Sequence, residues 1–252
     1  MKRPIIVILA LTLLFGSLSA ADLTITFTSK GKSAMGGGGD GTVIQYYTAA
    51  YQMARMVEAR HDDLIDIQQG ISYVIDHKKK TVSKISFDDA AAAMANLDTS
   101  NGAALGKLMT VMVGDPNAVQ VARTGNEQVA GRNCQVWHIQ VGKLVMDLSA
   151  DPTLKRPIPD RDLARITQAR IAQFARSGPM GASFKRMFEE MAKIQGIPLK
   201  THMTGIMGMD ATQEATRVEV GAIPADTFAL PEGYKVEDMG KQLREAAAKA
   251  HP

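Results

Sequence analysis

The residues able to do chemistry are few in kind and widely spaced. His61, His77, His138, His202 and His251 show no H-x-H, H-x-x-x-H or H-E-x-x-H pattern, so no zinc-type ligand set is spelled out locally. His61 beside Asp62 and Asp63 reads as a solvated turn. The serines include no G-x-S-x-G elbow. Cys134 is the single cysteine, which excludes an internal disulfide. It lies between Gly131-Arg132-Asn133 and an apolar run, with no cue for a thiolate. Gly36, Gly38 and Gly41 formally satisfy G-x-G-x-x-G, but Lys30 to Met35 separate them from the preceding strand and a β-type run follows. Gly31-Lys32-Ser33 fails as the end of a P-loop, because position 26 holds Thr26 instead of glycine. This stretch is expected to be a glycine loop at the rim of a sheet. No catalytic residue, cofactor or metal is expected, and the chain reads as a non-enzyme.

Methionine is the one chemistry-bearing type in excess, with 15 residues against 5% aromatics. Met53 with Met56, Met109 with Met112, and Met187 with Met191 form close pairs. Met203, Met207 and Met209 share a face of a regular strand, although Gly205 and Gly208 predict a turn that parts them. Thioethers are soft ligands for Cu(I). They also fill adaptable apolar interiors that accept flexible acyl chains, and this second reading accounts for more of them.

These residues must be positioned by an exported chain. Lys2 and Arg3 precede an apolar run, Ile5 to Phe15, far shorter than the about 20 residues a spanning helix needs. Ser19, Ala20 and Ala21 follow as small residues, so residues 1–21 read as a signal peptide cleaved near Ala20 or Ala21. The expected location is the periplasm. Without Lys2 and Arg3, 27 basic side chains face 26 acidic ones, which removes the electrostatic footprint of a nucleic-acid binder. Residues 22–252 are expected to form a single domain and to act as a monomer.

Alternation of Leu23, Ile25 and Phe27 with threonines predicts a first strand. Residues 43–60 read as one or two strands, and further strands are predicted over 63–69, 71–77 and 81–87. On the last but one, Ile71, Tyr73 and Ile75 face one way. Ser86-Phe87-Asp88-Asp89 predicts a capped helix start, with a second short helical piece near Leu105 to Met112. Strands resume at 118–124, 127–132, 135–141 and 145–148, joined by turns that contain glycine. Two amphipathic helices are expected next. The first, over 161–176, has Leu163, Ile166, Ile171 and Phe174 on one face and Arg161, Arg165 and Arg176 opposite. The second carries Phe184, Met187, Phe188, Met191 and Ile194. A hairpin over 197–220, a proline-punctuated tail over 224–239 packed on the sheet and a terminal helix over 241–250 complete the chain. No internal repeat is evident. The fold class is α+β: a curved, mostly antiparallel sheet, an unclosed barrel, with helices covering its concave face.

Several local patterns carry a resemblance. They are I-x-Y-x-I-D with K-K-T-V at Ile71 to Val82, G-R-x-C-x-V-W at Gly131 to Trp137, G-I-P-L-K-x-x-M-T at Gly196 to Thr204, and P-x-x-x-F-x-L-P-E-G-Y at Pro224 to Tyr234. With the order of elements, they resemble an uncharacterised family of exported bacterial proteins that is itself similar in fold to the periplasmic lipoprotein carriers. The resemblance implies an unclosed antiparallel barrel with a helical lid over an apolar cavity for acyl chains. No functional residue of the carriers maps onto a position here.

The chain therefore reads as a periplasmic binding or carrier protein for an acyl chain or lipidated polypeptide. The expected ligand-lining residues are Met53, Met56, Ile71, Tyr73, Ile75, Met187, Met191 and Met203. Two alternatives stand beside it. One is an envelope assembly protein that meets an anionic surface or acidic partner through Arg161, Arg165 and Arg176. The other is an exported Cu(I) binder with methionine ligands.

Overall fold

The computed structural model of the chain describes residues 21–32, 40–95, 114–115, 117–159, 161–167, 180–205 and 208–250. Twelve strands form one sheet: β1 (Leu23–Lys32), β2 (Gly41–Tyr47), β3 (Tyr51–Met56), β4 (His61–Asp66), β5 (Ile71–Asp76), β6 (Thr81–Ser86), β7 (Val119–Val129), β8 (Arg132–Val141), β9 (Leu144–Asp151), β10 (Ile197–Thr204), β11 (Asp210–Val220) and β12 (Lys235–Asp238). Its helices are α1 (Phe87–Ala95), α2 (residues 161–167), α3 (Met180–Met191) and α4 (Met239–Ala250), with a 3-10 turn at Ala225–Phe228. The sheet order is β12-β6-β5-β4-β3-β2-β1-β11-β10-β9-β8-β7. Every neighbour pair is antiparallel except β12 on β6. The result is the α+β architecture expected, a curved, unclosed, mostly antiparallel sheet carrying helices.

Strands β3 to β6 start every ten residues, at 51, 61, 71 and 81, and each is followed by a four-residue turn or by α1. The three turns end in left-handed residues, Arg60 (φ 51°), Gly70 (φ 66°) and Lys80 (φ 53°). Their carbonyls accept the amides of His77 (3.0 Å), Phe87 (2.8 Å) and Lys235 (3.0 Å), which stacks each turn on the next crossing. The period lies in backbone geometry. Only one of the three positions uses the glycine that such a φ favours, which is why no repeat is legible in the sequence. A Cβ at Gly70 would lie 2.9 Å from an Arg165 Nη, at the end of a flexible side chain, so the left-handed φ is what favours glycine there. That guanidinium packs over the Phe87 ring at 5.7 Å.

The capping signal is realised. Ser86 Oγ accepts the Asp89 amide at 3.0 Å and donates to Asp89 Oδ2 at 2.8 Å, starting α1. Four strands were expected where three form. Gly125 does not turn the chain; it sits at a bulge where the register shifts between Arg123 and Gly125, so β7 runs on to Val129. The tail packs on the sheet as expected, but it also adds β12, a parallel edge strand that the alternating pattern did not announce. The expected helical piece near 105–112 lies outside the described residues, as do Ile171, Phe174 and Arg176.

The largest buried cluster joins Leu23, Ile25 and Phe27 of β1 with Tyr47, Ile65, Phe87, Ile197, Leu199 and Ala215, and α2 closes it with Ile166. A second cluster lies between α3 and β8–β9, and a third beneath the tail. Tyr46 packs in the third cluster and Tyr47 belongs to the first; Leu64 and Ile65 divide in the same way. Neighbouring residues of a strand point to opposite faces, so α2 and the tail cover opposite sides of β2–β4.

Candidate functional site

The eight expected lining residues do not form one wall. Met187, Met191 and Met203 meet in the cluster between α3 and the sheet, with Ile139, Val141, Leu144, Met146, Leu148, Ala150 and Met209. Met53 and Tyr73 lie in the tail-covered cluster, in a cross-strand row Tyr46–Met53–Leu64–Tyr73. Burial, then the Asp66 charge, raises the Tyr73 phenol above its ordinary pKa. Ile71 and Ile75 share the Tyr73 side of β5 by alternation, with Ile75 buried opposite Asp62 and Val82. Met56 stands at the end of β3 and lines a cleft of about 220 Å³ with Arg55, Val57, Arg60, Asp62 and His77. A second cleft, of about 370 Å³, is lined by Thr48, Ala50, Tyr51, Ile223, Ala225, Phe228 and Ala229. There the rings of Tyr51 and Phe228 stack at 5.0 Å.

The layer under α3 is where methionine concentrates. Met146 and Met203 are direct cross-strand partners on β9 and β10. The turn after Met203 was expected to carry Met209 away; instead it returns Met209 to the same cluster, while Met207 lies outside the described residues. Gly205, at φ 102°, passes so close to the β8–β9 turn that a Cβ would overlap the Lys143 carbonyl oxygen. Phe188 packs against this layer, so α3 does lay its apolar face on strands. The layer is filled: Ile139, Val141, Leu144, Leu148 and Met187 are each 0% exposed.

Two polar groups in this region lack partners. Trp137 Nε1 and Ser183 Oγ are buried with no hydrogen-bond partner among the described residues. Trp137, opposite Leu148 on the next strand, packs against the cluster. Ser183 stands one helical turn before Met187 and so shares its buried face on α3. A buried donor left unmade costs about 1–3 kcal/mol, so each of the two marks a position with no acceptor among the described residues. Sequence reasoning missed Trp137, Ser183, Met146 and Met209. The i−4 spacing of Ser183 from Met187 and the strand alternation of Trp137 with Ile139 were the available signals.

Elsewhere several buried polar groups have partners. Asp62 receives Arg55 Nε on both oxygens at 3.2 Å and lies 3.0 Å from His77 Nε2, while His77 Nδ1 lies 3.0 Å from the Tyr234 hydroxyl. Glu127 accepts from Ser149 Oγ and, at 3.2 Å, from Lys200 Nζ, and that bond to Glu127 holds the Lys200 ammonium above its ordinary pKa. Burial, then the Asp151 and Glu127 charges, pushes the Cys134 thiol up to about 11, which leaves it protonated and inert at neutral pH. Arg161 and Arg165 flank Asp162 at 3.6 and 3.7 Å, so the described part of the arginine face is partly committed within the chain. Among the described residues no three His, Cys, Asp or Glu side chains are grouped to hold a metal, and no helix is long and apolar enough to cross a membrane.

No curated protein matches the sequence. Among solved structures, the chain is similar to an uncharacterized conserved protein from Thermus thermophilus, with 8% identity, a TM-score of 0.47, and 88% of this chain and 91% of that one covered. It is also similar to a chain in the Pseudomonas aeruginosa MucA/MucB complex, with 13% identity and a TM-score of 0.43 over 87% of this chain and 59% of that one. A LolA-superfamily protein from Nitrosomonas europaea shares 8% identity with a TM-score of 0.28, over 84% and 90% of the two chains. The chain thus spans about three-fifths of the MucA/MucB-complex chain it matches, and scores this low carry no weight for function. The sequence itself is decisive: residues 45–234 match the family described as a domain of unknown function, DUF4412, and the chain belongs to that family.

Proposed function

We propose that the protein is an exported, non-enzymatic binding protein, a monomer in the periplasm once residues 1–21 are removed. It holds an acyl chain, free or on a lipidated polypeptide, in the methionine-rich layer under α3. The observation that carries this reading is the pair of unpartnered buried donors, Trp137 Nε1–H and Ser183 Oγ–H, bordering an otherwise apolar layer. An ester, amide or carboxyl oxygen would satisfy either of them. The chain beyond that oxygen would displace methionines, whose unbranched thioethers repack at little cost. Each buried methylene contributes about 0.8 kcal/mol, so affinity needs no catalytic group.

Lipid extraction of protein purified from the envelope, followed by mass spectrometry, is expected to yield a stoichiometric acyl species. A delipidated sample should bind a fluorescent fatty-acid probe, and the Ser183→Ala/Trp137→Phe double variant should bind it at least tenfold more weakly. No acyl species and no probe binding would end the proposal.

A second reading places the acyl chain in the tail-side cleft, because its volume of about 370 Å³ falls within the roughly 300–1,000 Å³ of ligand pockets. In that case Phe228→Ala abolishes probe binding and the double variant leaves it intact. Cu(I) binding by the five clustered methionines is tested by titration of the reduced protein; an affinity above that of free methionine would favour it over both.

A further inference from the structure

The cleft at the β3–β4 turn has a chemistry of its own, independent of the layer under α3. Arg55 engages Asp62 through Nε alone, and both oxygens of that carboxylate are taken up by Arg55 and His77. Asp62 is 2% exposed, so it acts as a fixed post that orients the Arg55 guanidinium and leaves both Nη groups without a partner among the described residues. Arg60, at the end of the turn, also lines the cleft and has no carboxylate within ion-pair distance among the described residues. Lys78 and Lys80 of the neighbouring turn are likewise unpaired there, while Lys79 is held by Asp76 at 3.1 Å. The acid on the same turn, Glu58, is directed at the Thr42 amide, and that bond holds its carboxyl below the usual range. Two guanidinium forks facing one small cleft form a geometry suited to an oxyanion. The rest of the lining is Asp62, whose two oxygens are taken up by Arg55 and His77, His77 itself, and the apolar Met56 and Val57, the last 45% exposed.

We infer that this cleft is a binding site for the phosphate-class oxyanion of an amphiphile, gripped by Arg55 and Arg60, with the first methylenes after the oxyanion lying on Met56 and Val57. Its volume of about 220 Å³ accommodates a headgroup and a few methylenes, not a whole lipid.

The test is an NMR titration of the mature chain, reading the Arg55 Nε–H resonance, with inorganic phosphate, n-butyl phosphate and n-butanol as probes. Butyl phosphate is too short to report on the layer under α3, so Ser183→Ala should leave its binding unchanged. Burial of two methylenes predicts butyl phosphate binding roughly tenfold more tightly than phosphate, with butanol silent. Arg60→Gly removes the guanidinium at a φ that suits glycine, so folding is preserved, and it should weaken butyl phosphate at least tenfold. Raising the salt should weaken it further. Equal binding by the wild type and Arg60→Gly, or no response to any probe, would overturn the site. Phosphate binding as tightly as butyl phosphate would overturn its assignment to an amphiphile.

Discussion

Asp62 and Ser183 are almost equally hidden from water, at 2% and 1% exposure, yet their surroundings treat them in opposite ways. Around Asp62 both carboxylate oxygens have partners, in Arg55 and in His77, which in turn reaches Tyr234. Around Ser183 and Trp137 no partner stands among the described residues. A satisfied buried network ties elements together, here β3, β4 and the turn after β5 to the tail. An unsatisfied one costs stability. Under the proposed function, the Asp62 network is a structural tie and the layer under α3 is the binding part.

The contrast is easiest to break at its strong end. Asp62→Ala orphans Arg55 and His77 and should cost about 2–3 kcal/mol in urea unfolding, less than a fully buried pair because Arg55 is part-exposed. A loss below about 1 kcal/mol would show that the network is not a tie.

Asp151 supplies the next effect, about 2 kcal/mol at neutral pH, the usual worth of charged hydrogen bonds. Burial raises its carboxyl pKa, but bonds from Thr153 and Arg132 outweigh burial and hold it below the usual range. A depressed native pKa stabilises the fold above the unfolded value near 4 and loses that contribution as the pH falls through the native value. Asp151→Asn should therefore be less stable than the wild type at pH 7, with the gap closing below about pH 4; an unchanged gap at pH 2.5 would refute the charge as its cause.

Ser183→Ala should act in the opposite sense. It removes an unpartnered hydroxyl and adds a better helix former, so thermal unfolding should show a gain of about 0.5–1 kcal/mol while acyl binding falls. Destabilisation would mean that the hydroxyl has a partner in solution. The smallest effect belongs to Cys134. With its thiol pushed up to about 11 and its side chain buried, it should remain unmodified by a thiol reagent at pH 8 until the chain is unfolded.

Much of the frame was legible in the residues. The Leu23–Ile25–Phe27 alternation, the Ser86 cap and the helical spacing of Met187, Phe188 and Met191 each report a local preference that the fold keeps. The misreadings have local causes too. Gly125 looks like a turn because glycine marks turns and bulges alike. Arg60 and Lys80 hide a ten-residue meander because neither announces a left-handed φ. The candidate site was legible by type but not by place. Methionine abundance pointed to an adaptable apolar interior, whereas Met53 and Tyr73 proved to lie under the tail and Met187, Met191 and Met203 under α3.

The sequence by itself determined the strands, the caps and the apolar faces, because alternation, helical period and turn chemistry act within a few residues. Only the tertiary structure decided which face meets which, since β1 joins β2 to β11 across nearly the whole chain and no local pattern records that pairing. It also decided that Asp62 would be met by Arg55 and His77 and that Ser183 would find no partner among the described residues, because hydrogen-bond satisfaction depends on groups brought together from distant segments.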